Sequence, residues 1–180
     1  LHPTDHKSLA GNIQQLEAGR TVSVTRADGF ESLKALLPPP VSTSGSRRTC
    51  VLIDPSYEIK NDYYRVIDCI QDSLKRFATG TYAVWYPIIP RNEAHDVPKK
   101  LKTLATKSGK SWLGVTLTVK NSKLTQDAEG EVVRPGLPAS GMFLINPPHT
   151  LKAGLKDALP QMAQCLGQDT NATSTLEAGG

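Results

Sequence analysis

An acid, a proline and a tyrosine follow one apolar stretch of the chain closely enough to act together. The stretch Cys50–Ile53 runs directly into Asp54-Pro55-Ser56-Tyr57. A buried strand that ends in such residues is typical of open α/β sheets, which place their chemistry at the carboxyl ends of strands. The carboxylate and the proline carbonyl can accept both hydrogens of a flat exocyclic amine, and the tyrosine ring can stack on the heterocycle that carries it. The pattern therefore indicates a site for an amine such as that of adenine.

This chemistry requires no strong base. An aromatic amine is a poor nucleophile because its lone pair is delocalised into the ring. Two acceptors that hold its hydrogens favour a pyramidal nitrogen and aim the lone pair at an electrophile held in line. The same residues also fit a simpler interpretation, in which Asp54-Pro55 ends a strand and begins a turn while Tyr57 packs in the core. The motif alone leaves both interpretations open.

The size and composition of the chain favour one soluble domain. Its 180 residues, of which 38% are hydrophobic, suffice for one ordinary core. The three cysteines form no Cys-x-x-Cys pair, which suggests neither a disulfide framework nor a zinc site and fits a reducing compartment. No stretch is long enough to span a membrane, and no secretory leader stands at the start. We therefore expect a cytoplasmic protein with no membrane partner and no metal.

The charge of the chain permits an anionic partner without identifying one. The net charge is +4, a value that many globular proteins carry. The basic residues cluster at Arg47-Arg48, at Lys75-Arg76 and in the series Lys99, Lys100, Lys102, Lys107 and Lys110. A solvated helix face explains the lysine series at least as well as a nucleic-acid contact does. Charge thus gives weak support for a nucleic-acid partner.

Apolar periodicity divides the chain into alternating strands and helices. The predicted strands are residues 21–25, 50–53, 81–89, 112–119 and 141–145, and the predicted helices are about residues 5–17, 30–37, 61–77, 93–108 and 152–166. Residues 121–138 form a polar insertion, and the small, polar residues 167–180 are expected to be a disordered tail. This alternation predicts an α/β fold whose strands are parallel until the final elements.

Two further strand ends carry polar residues that could form a site. The first leads to Asp28-Gly29, for which a helix cap ahead of the next helix is the simpler explanation. The other leads to Asn146-Pro147-Pro148-His149, which looks like a second amine-binding motif but lacks a following tyrosine. We expect this second motif to turn the chain from strand into helix. No Gly-x-Gly-x-x-Gly loop occurs, so the sequence offers no glycine turn for a cofactor.

Several motifs occur together in one order. They are Leu1-His-Pro-Thr-Asp5, Ala27-Asp-Gly-Phe30, Leu52-Ile-Asp-Pro-Ser-Tyr-Glu58, Arg76-Phe-Ala-Thr-Gly-Thr-Tyr-Ala-Val-Trp-Tyr-Pro87 and Ala139-Ser-Gly-Met-Phe-Leu-Ile-Asn-Pro-Pro148. In this order they resemble the family of 23S ribosomal RNA adenine-N6 methyltransferases, over about residues 1–166. Several motifs in the right order are far more specific than any one of them.

The resemblance implies a methyltransferase that uses S-adenosylmethionine on a Rossmann-like, mostly parallel sheet. It assigns Asp54 as the catalytic acceptor, Pro55 as the source of the second acceptor carbonyl, and Tyr57 as the ring that stacks on the target adenine. It also matches Asp28 and Gly29, together with Asp54, to positions that contact the cofactor. The family likeness alone implies these roles, and the spacing of the residues leaves them open.

The resemblance also implies parts that residues 1–180 do not contain. Family members carry a glycine-containing cofactor loop ahead of the position that matches Leu1, and the first two strands of their sheet lie there as well. We therefore expect residues 1–166 to be the carboxyl-terminal portion of a methyltransferase domain, and residues 1–180 alone to be inactive. Ser56 stands where the family has a second proline, a change expected to affect the stiffness of the loop more than the chemistry.

The implied substrate is an adenine of 23S ribosomal RNA, flipped out of its stack by a monomeric enzyme acting on protein-free or early precursor RNA. A DNA adenine-N6 methyltransferase is the nearest alternative, because DNA presents the same amine and the base must leave its stack in either case. The alternative outside the enzymes is a non-catalytic RNA-binding or scaffold domain that has lost its cofactor half. Binding of S-adenosylmethionine separates this last alternative from the other two.

Overall fold

The computed structural model of the chain describes residues 3–19, 21–122, 125–126, 132–133 and 136–180. The chain falls into two units, Leu1–Leu37 and Pro38–Gly180, and each unit is described by itself. None of the helices in the described segments has both the length and the apolar character that crossing a membrane requires.

The first unit consists of two helices joined by an irregular segment. Helices α1 (Pro3–Gln15) and α2 (Gly29–Leu36) agree with the predicted helices. Residues 21–25 form no strand, so that prediction is wrong. The first two amides of this segment instead donate to the carbonyl oxygen of Ala18, at 2.9 and 2.8 Å, and close a local turn. A β-prone sequence becomes a strand only when a neighbouring strand accepts its hydrogen bonds, and no described strand does so here.

The second unit alternates strands and helices, as the α/β prediction requires. In chain order its elements are β1 (Cys50–Ile53), α3 (Lys60–Arg76), β2 (Thr81–Ile88), α4 (Asn92–Lys107), β3 (Trp112–Thr118), β4 (Thr125–Gln126), β5 (Val132–Val133), β6 (Ala139–Ile145), α5 (Leu151–Leu166) and β7 (Thr173–Gly179). The ends of α3, α4 and α5 lie within one residue of the predicted ends. Each helix stops shortly before a glycine, at Gly80, Gly109 and Gly167, and glycine is the usual residue at such a boundary.

The five strands of the main sheet lie in the order β1-β2-β6-β3-β7. Strands β1 and β2 are parallel, whereas the pairs β2 with β6, β6 with β3 and β3 with β7 are antiparallel. The prediction of a mostly parallel sheet is therefore wrong. The cause is β6, which lies between β2 and β3 and runs in the opposite direction to both. It comes after the β4–β5 pair in the chain. Apolar periodicity identifies a strand but does not record its direction.

Strands β1 and β7 form the two edges of this sheet. Strand β7 lies in the tail that was predicted to be disordered, so that prediction is wrong. It pairs with β3 over seven residues, and the hydroxyls of Thr116 and Thr175 lie 2.6 Å apart across the pair. Backbone pairing rather than apolar burial holds this segment in the sheet. Its small, polar residues therefore show no apolar periodicity that would predict a strand. The two earlier strands that the resemblance implies stay a prediction.

The most deeply buried side chains of the sheet share one of its faces. Tyr82 and Val84 on β2 are paired with Ile145 and Phe143 on β6, and all four are at most 2% exposed. Helix α4 packs against β2, β3 and β6 and against α3. The Tyr82 hydroxyl donates to the carbonyl oxygen of Phe77 at 2.6 Å, which ties the end of α3 to the sheet. This core fixes β2, the strand that neighbours the Asp54 motif.

Glycines on neighbouring strands make room for aromatic rings in this core. Gly141 lies across from Tyr86, and Gly179 lies across from Trp112. A Cβ atom at either glycine would overlap the opposite ring. Neither glycine has a positive φ, so close packing rather than backbone conformation requires the small residue.

We expect Gly141→Ala to lower the free energy of unfolding by about 1–3 kcal/mol, because the added methyl group must displace the Tyr86 ring or the backbone. The matched control is Gly154→Ala in α5, where a Cβ atom meets nothing within 4 Å. Alanine should stabilise that helix by up to about 1 kcal/mol. Urea unfolding monitored by circular dichroism measures both changes. Equal stability of the two variants would contradict the proposed close packing at Gly141.

Candidate active site

The Asp54 motif lies at the edge of the sheet where the parallel pair ends. Ile53, the last residue of β1, is 8% exposed and belongs to the core, and the next residue, Asp54, is exposed. Pro55 is half-buried and Ser56 is exposed. Residues 54–58 belong to no helix or strand, and α3 begins at Lys60. The structure therefore presents Asp54 to solvent directly after β1. The strand itself is not buried as the sequence predicts, because β1 lies at the edge of the sheet, where Cys50 and Leu52 are exposed and only Ile53 is buried.

Tyr57 lies in the same loop but points into the protein. Its side chain is 3% exposed, and its hydroxyl donates to the carbonyl oxygen of Trp85 at 2.6 Å. Its ring centroid lies 4.7 Å from that of Tyr63 and 6.2 Å from that of Trp85. Burial raises the pKa of the Tyr57 hydroxyl well above its usual value, and the Asp54 carboxylate adds to this shift. The hydroxyl is thus a neutral donor buried in the core.

The backbone of Tyr57 is held as well as its ring. Its φ is 55°, in the left-handed region that residues with a side chain seldom adopt. Its carbonyl oxygen accepts a hydrogen bond from the guanidinium of Arg91 at 3.1 Å. The guanidinium also lies 5.9 Å from the ring centroid of Tyr63. No sequence motif identifies Arg91 or Tyr63 as part of the site. For Arg91, its position just after β2 could have indicated that it lies near the Asp54 loop, because β2 is the parallel neighbour of β1.

The predicted cofactor residues Asp28 and Gly29 lie in the first unit. An Asp28 carboxylate oxygen accepts hydrogen bonds from the amides of Phe30 at 2.9 Å and Glu31 at 3.3 Å. The helix-cap interpretation of Asp28 is therefore confirmed. Gly29 is exposed, and a Cβ atom there would meet nothing within 4 Å, so a ligand has room to approach its backbone.

The second motif serves the fold. The side-chain amide of Asn146 donates to the carbonyl oxygens of Ala78 at 3.0 Å and Gly80 at 2.8 Å, and the Thr81 hydroxyl donates to its backbone carbonyl at 2.9 Å. These contacts join the end of β6 to the start of β2, at the edge of the sheet opposite Asp54. The geometry agrees with the structural role that we expected for this motif.

A cavity of about 330 Å³ lies apart from the Asp54 loop. Its walls include Trp112, Phe143, Lys102 and Glu177. The Lys102 ammonium lies 4.7 Å from the Trp112 ring centroid and 3.2 Å from a carboxylate oxygen of Glu177, so its charge is already paired. None of the residues that line this cavity comes from the Asp54 loop. Among the described residues, no cluster of three or more His, Cys, Asp or Glu side chains could hold a metal ion.

A protein-family model matches almost the whole chain. The family model described as "Ribosomal RNA large subunit methyltransferase D, RlmJ" matches residues 1–177. The chain belongs to this family. The exposed Asp54 and the loop around it are therefore features of an RlmJ-family chain.

Two relatives carry the name "Ribosomal RNA large subunit methyltransferase J". The protein from Haemophilus influenzae is 37% identical over 177 residues, which are 98% of this chain and 56% of the relative. The protein from Escherichia coli is 39% identical over 160 residues, which are 89% of this chain and 50% of the relative. The RlmJ-family chain thus spans about half the length of these relatives.

A solved structure supports the fold of this RlmJ-family chain. The crystal structure of protein LPL1258 from Legionella pneumophila superimposes with a TM-score of 0.75 at 25% sequence identity. The match covers 99% of this chain and 58% of that one.

The raised pKa of Tyr57 has a consequence at alkaline pH. An unfolded tyrosine loses its proton near pH 10, whereas the folded Tyr57 keeps it to a higher pH. The stability that this group contributes is therefore complete below pH 10 and is lost as the pH rises through the folded pKa. Burial also raises the pKa of Tyr82 and of Tyr86, each to about 12, so several tyrosines share this behaviour.

We expect Tyr57→Phe to reduce the loss of stability above pH 10 by up to about 1.4 kcal/mol per pH unit, because the variant has one buried hydroxyl fewer to titrate. The control is Tyr64→Phe, which removes a hydroxyl from a ring that is 49% exposed. Urea unfolding at a series of pH values from 8 to 11 gives the slopes. The same slope in wild type and Tyr57→Phe would mean that the hydroxyl ionises as readily in the folded protein as in the unfolded chain.

Proposed function

We propose that the protein containing this chain methylates the exocyclic N6 amine of an adenine in 23S ribosomal RNA. The single observation that carries the proposal is the exposed Asp54, placed directly after the buried end of β1 at Ile53 in a chain of the RlmJ family. The names of the two relatives support ribosomal RNA as the substrate class. The Asp54-Pro55 pair suits an exocyclic amine, and the resemblance of the ordered motifs to adenine-N6 methyltransferases favours the N6 amine of adenine.

Asp54 acts as a hydrogen-bond acceptor for the amine. Its carboxylate takes one hydrogen of the amine, and the carbonyl of Pro55 takes the other. With both hydrogens held, the nitrogen lone pair points away from the two acceptors and is free to meet an electrophile. Methyl transfer would form a nitrogen–carbon bond as the donor's sulfur–methyl bond broke, and Asp54 or water would take the proton that the amine releases. The acceptors stabilise the positive charge that develops on the nitrogen.

S-adenosylmethionine, when bound, supplies the electrophilic methyl group. Gly29 offers open backbone at the start of α2, which suits contact with a flat ring. The Asp28 side chain is engaged in the helix cap, so any contact with the cofactor adds to that role. Asp54 is exposed, so its carboxylate is accessible to the reacting amine. Gly29 in the first unit and Asp54 in the second each leave room for a ligand to approach.

Tyr57 is proposed to stack on the flipped base, and its burial sets a condition on that role. Base–aromatic stacking is worth about 1–3 kcal/mol. Freeing the ring breaks the hydrogen bond to Trp85, a loss of about 0.5–1.5 kcal/mol, and uncovers its contact with Tyr63. The two effects are of similar size. Stacking on Tyr57 therefore requires the ring to move when the base arrives, and its net contribution to binding is small.

The form of the substrate and the oligomeric state belong to the same proposal. The base must leave its stack to reach Asp54, which is easiest where RNA is not yet covered by protein. We propose protein-free or early precursor 23S RNA as the substrate and a monomer as the active species. Methyl transfer to naked RNA, to assembled large subunits and to DNA of the same sequence separates these possibilities. RNA binding without any transfer would favour the scaffold alternative.

We expect Asp54→Ala in the complete protein to lower the rate of methyl transfer by about 10²–10³-fold, because one of the two acceptors on the reacting amine is lost. The fold should be retained, since Asp54 is exposed. The control is Asp157→Ala, an exposed acid in α5. Single-turnover transfer of a labelled methyl group to 23S RNA measures the rate. An Asp54→Ala protein with near-normal turnover would refute the role given to this residue.

Residues 1–180 by themselves are expected to bind S-adenosylmethionine too weakly to detect. They contain no Gly-x-Gly-x-x-Gly loop, and each missing hydrogen bond to a cofactor lowers the affinity. Isothermal calorimetry on the 180-residue chain is the measurement, with near-ultraviolet circular dichroism as the check of folding. Tight stoichiometric binding would show that the residues present hold the cofactor without such a loop.

A further inference from the structure

The Asp54 loop, residues 54–58, is contacted by a cation that lies just after the neighbouring strand β2. The guanidinium of Arg91 donates to the carbonyl oxygen of Tyr57 at 3.1 Å and lies 5.9 Å from the ring centroid of Tyr63. Tyr63 is 2% exposed and packs directly on the Tyr57 ring. Arg91 therefore touches the loop at its backbone and reaches the aromatic pair beneath it.

Arg91 is itself fixed at its backbone. Its amide donates to the carbonyl oxygen of Ile89 at 2.7 Å, and its carbonyl accepts from the amides of Ala94 at 3.1 Å and His95 at 3.3 Å. These bonds hold Arg91 at the junction of β2 with α4, whose first residue is Asn92. The side chain thus reaches the loop from a rigid base.

The nearby acid has another partner. Glu93, two residues beyond Arg91, is paired with Lys60 at 3.0 Å. This ion pair joins the start of α3, the helix that follows the loop, to the start of α4. With Glu93 engaged by Lys60, the Arg91 guanidinium can donate to the Tyr57 carbonyl.

The contact acts on the strained point of the loop. Tyr57 has a φ of 55°, a conformation that a residue with a side chain keeps only when its surroundings hold it. Asp54 lies three residues earlier, in a segment with no regular structure. A change in the backbone at Tyr57 is passed through Ser56 to Pro55 and Asp54, so it changes where both acceptors stand relative to the rest of the protein. A planar guanidinium can donate to a carbonyl while lying over a ring, which an ammonium group does less well.

We propose that Arg91 is a positioning residue that keeps the Asp54 loop in its reactive geometry by binding the Tyr57 carbonyl. This inference rests on the proposed function for its effect on rate. Its structural part, that Arg91 restrains residues 54–58, stands without it.

The test compares Arg91→Ala, Arg91→Lys and the control Arg76→Ala in the complete protein. Arg76 forms an exposed ion pair with Asp72 in α3, away from the loop in sequence. Hydrogen–deuterium exchange reports the restraint directly. Arg91→Ala should speed exchange within residues 54–58 at least tenfold while the central turns of α3 and α4 keep their protection, and Arg76→Ala should leave the loop unchanged.

The kinetic arm separates positioning from binding of RNA. Misplacing a reacting group by about 1 Å costs on the order of 100-fold in rate, so single-turnover methyl transfer by Arg91→Ala should fall by about 10–100-fold. The affinity for RNA, and its dependence on salt, should stay as in the wild type. Arg91→Lys should recover part of the rate, since its ammonium can still reach a carbonyl.

Three results would overturn the proposal. Wild-type exchange at residues 54–58 in Arg91→Ala would show that the contact restrains nothing. Faster exchange throughout the protein would give Arg91 a general stabilising role. Weaker, less salt-dependent RNA binding with an unchanged rate would make Arg91 a phosphate contact. A wild-type protein that methylates no nucleic acid would refute the proposed function, and the exchange experiment would still decide whether Arg91 holds the loop.

Discussion

The parallel pairing of β1 with β2 is the constraint on which the candidate active site depends. Because parallel strands end at the same edge of a sheet, the segments that follow β1 and β2 lie side by side. Two contacts give the site its shape: the Tyr57 hydroxyl donates to the carbonyl oxygen of Trp85 within β2, and Arg91, which follows β2, donates to the Tyr57 carbonyl. The antiparallel strands widen the sheet on the far side of β2. They stabilise β2, whereas the parallel pair shapes the loop.

Local signals in the sequence were enough to locate most elements of the fold. The helix Lys60–Arg76 was predicted to within one residue, because its apolar face and its terminal breaker are both local. The direction of β6 and the pairing of β7 were not predictable in this way, since both depend on partners distant in the chain. The strand predicted at residues 21–25 was wrong because a local β-prone sequence does not supply a partner strand. Their β-prone sequence meets no strand partner in the described structure, and a turn at Ala18 takes the first amides.

For the candidate site, the sequence pointed to Asp54 but not to the contacts that hold the loop around it. Asp54 was recognisable because an acid after an apolar strand is a strong local pattern, and the structure leaves it exposed. The inward orientation of Tyr57 was not recognisable, since the partners of its hydroxyl and ring, Trp85 and Tyr63, come from other elements. Arg91 escaped notice for the same reason. Its partner is a backbone carbonyl, and a backbone carbonyl leaves no mark in a sequence.

Ser56 explains why such support matters in this chain. A proline at position 56 would fix φ near −65° and would also restrict Pro55, the residue before it. Serine leaves its own φ and the ψ of Pro55 less restricted, and a residue that lacks the proline constraint costs about 0.4–1 kcal/mol more in conformational entropy when the loop orders. The hydrogen bonds to Tyr57, one at its hydroxyl and one at its carbonyl, are each worth a similar amount. These two hydrogen bonds offset the extra conformational entropy that Ser56 loses when the loop orders. They act at Tyr57, the last residue of the motif, and so support the backbone that carries Asp54.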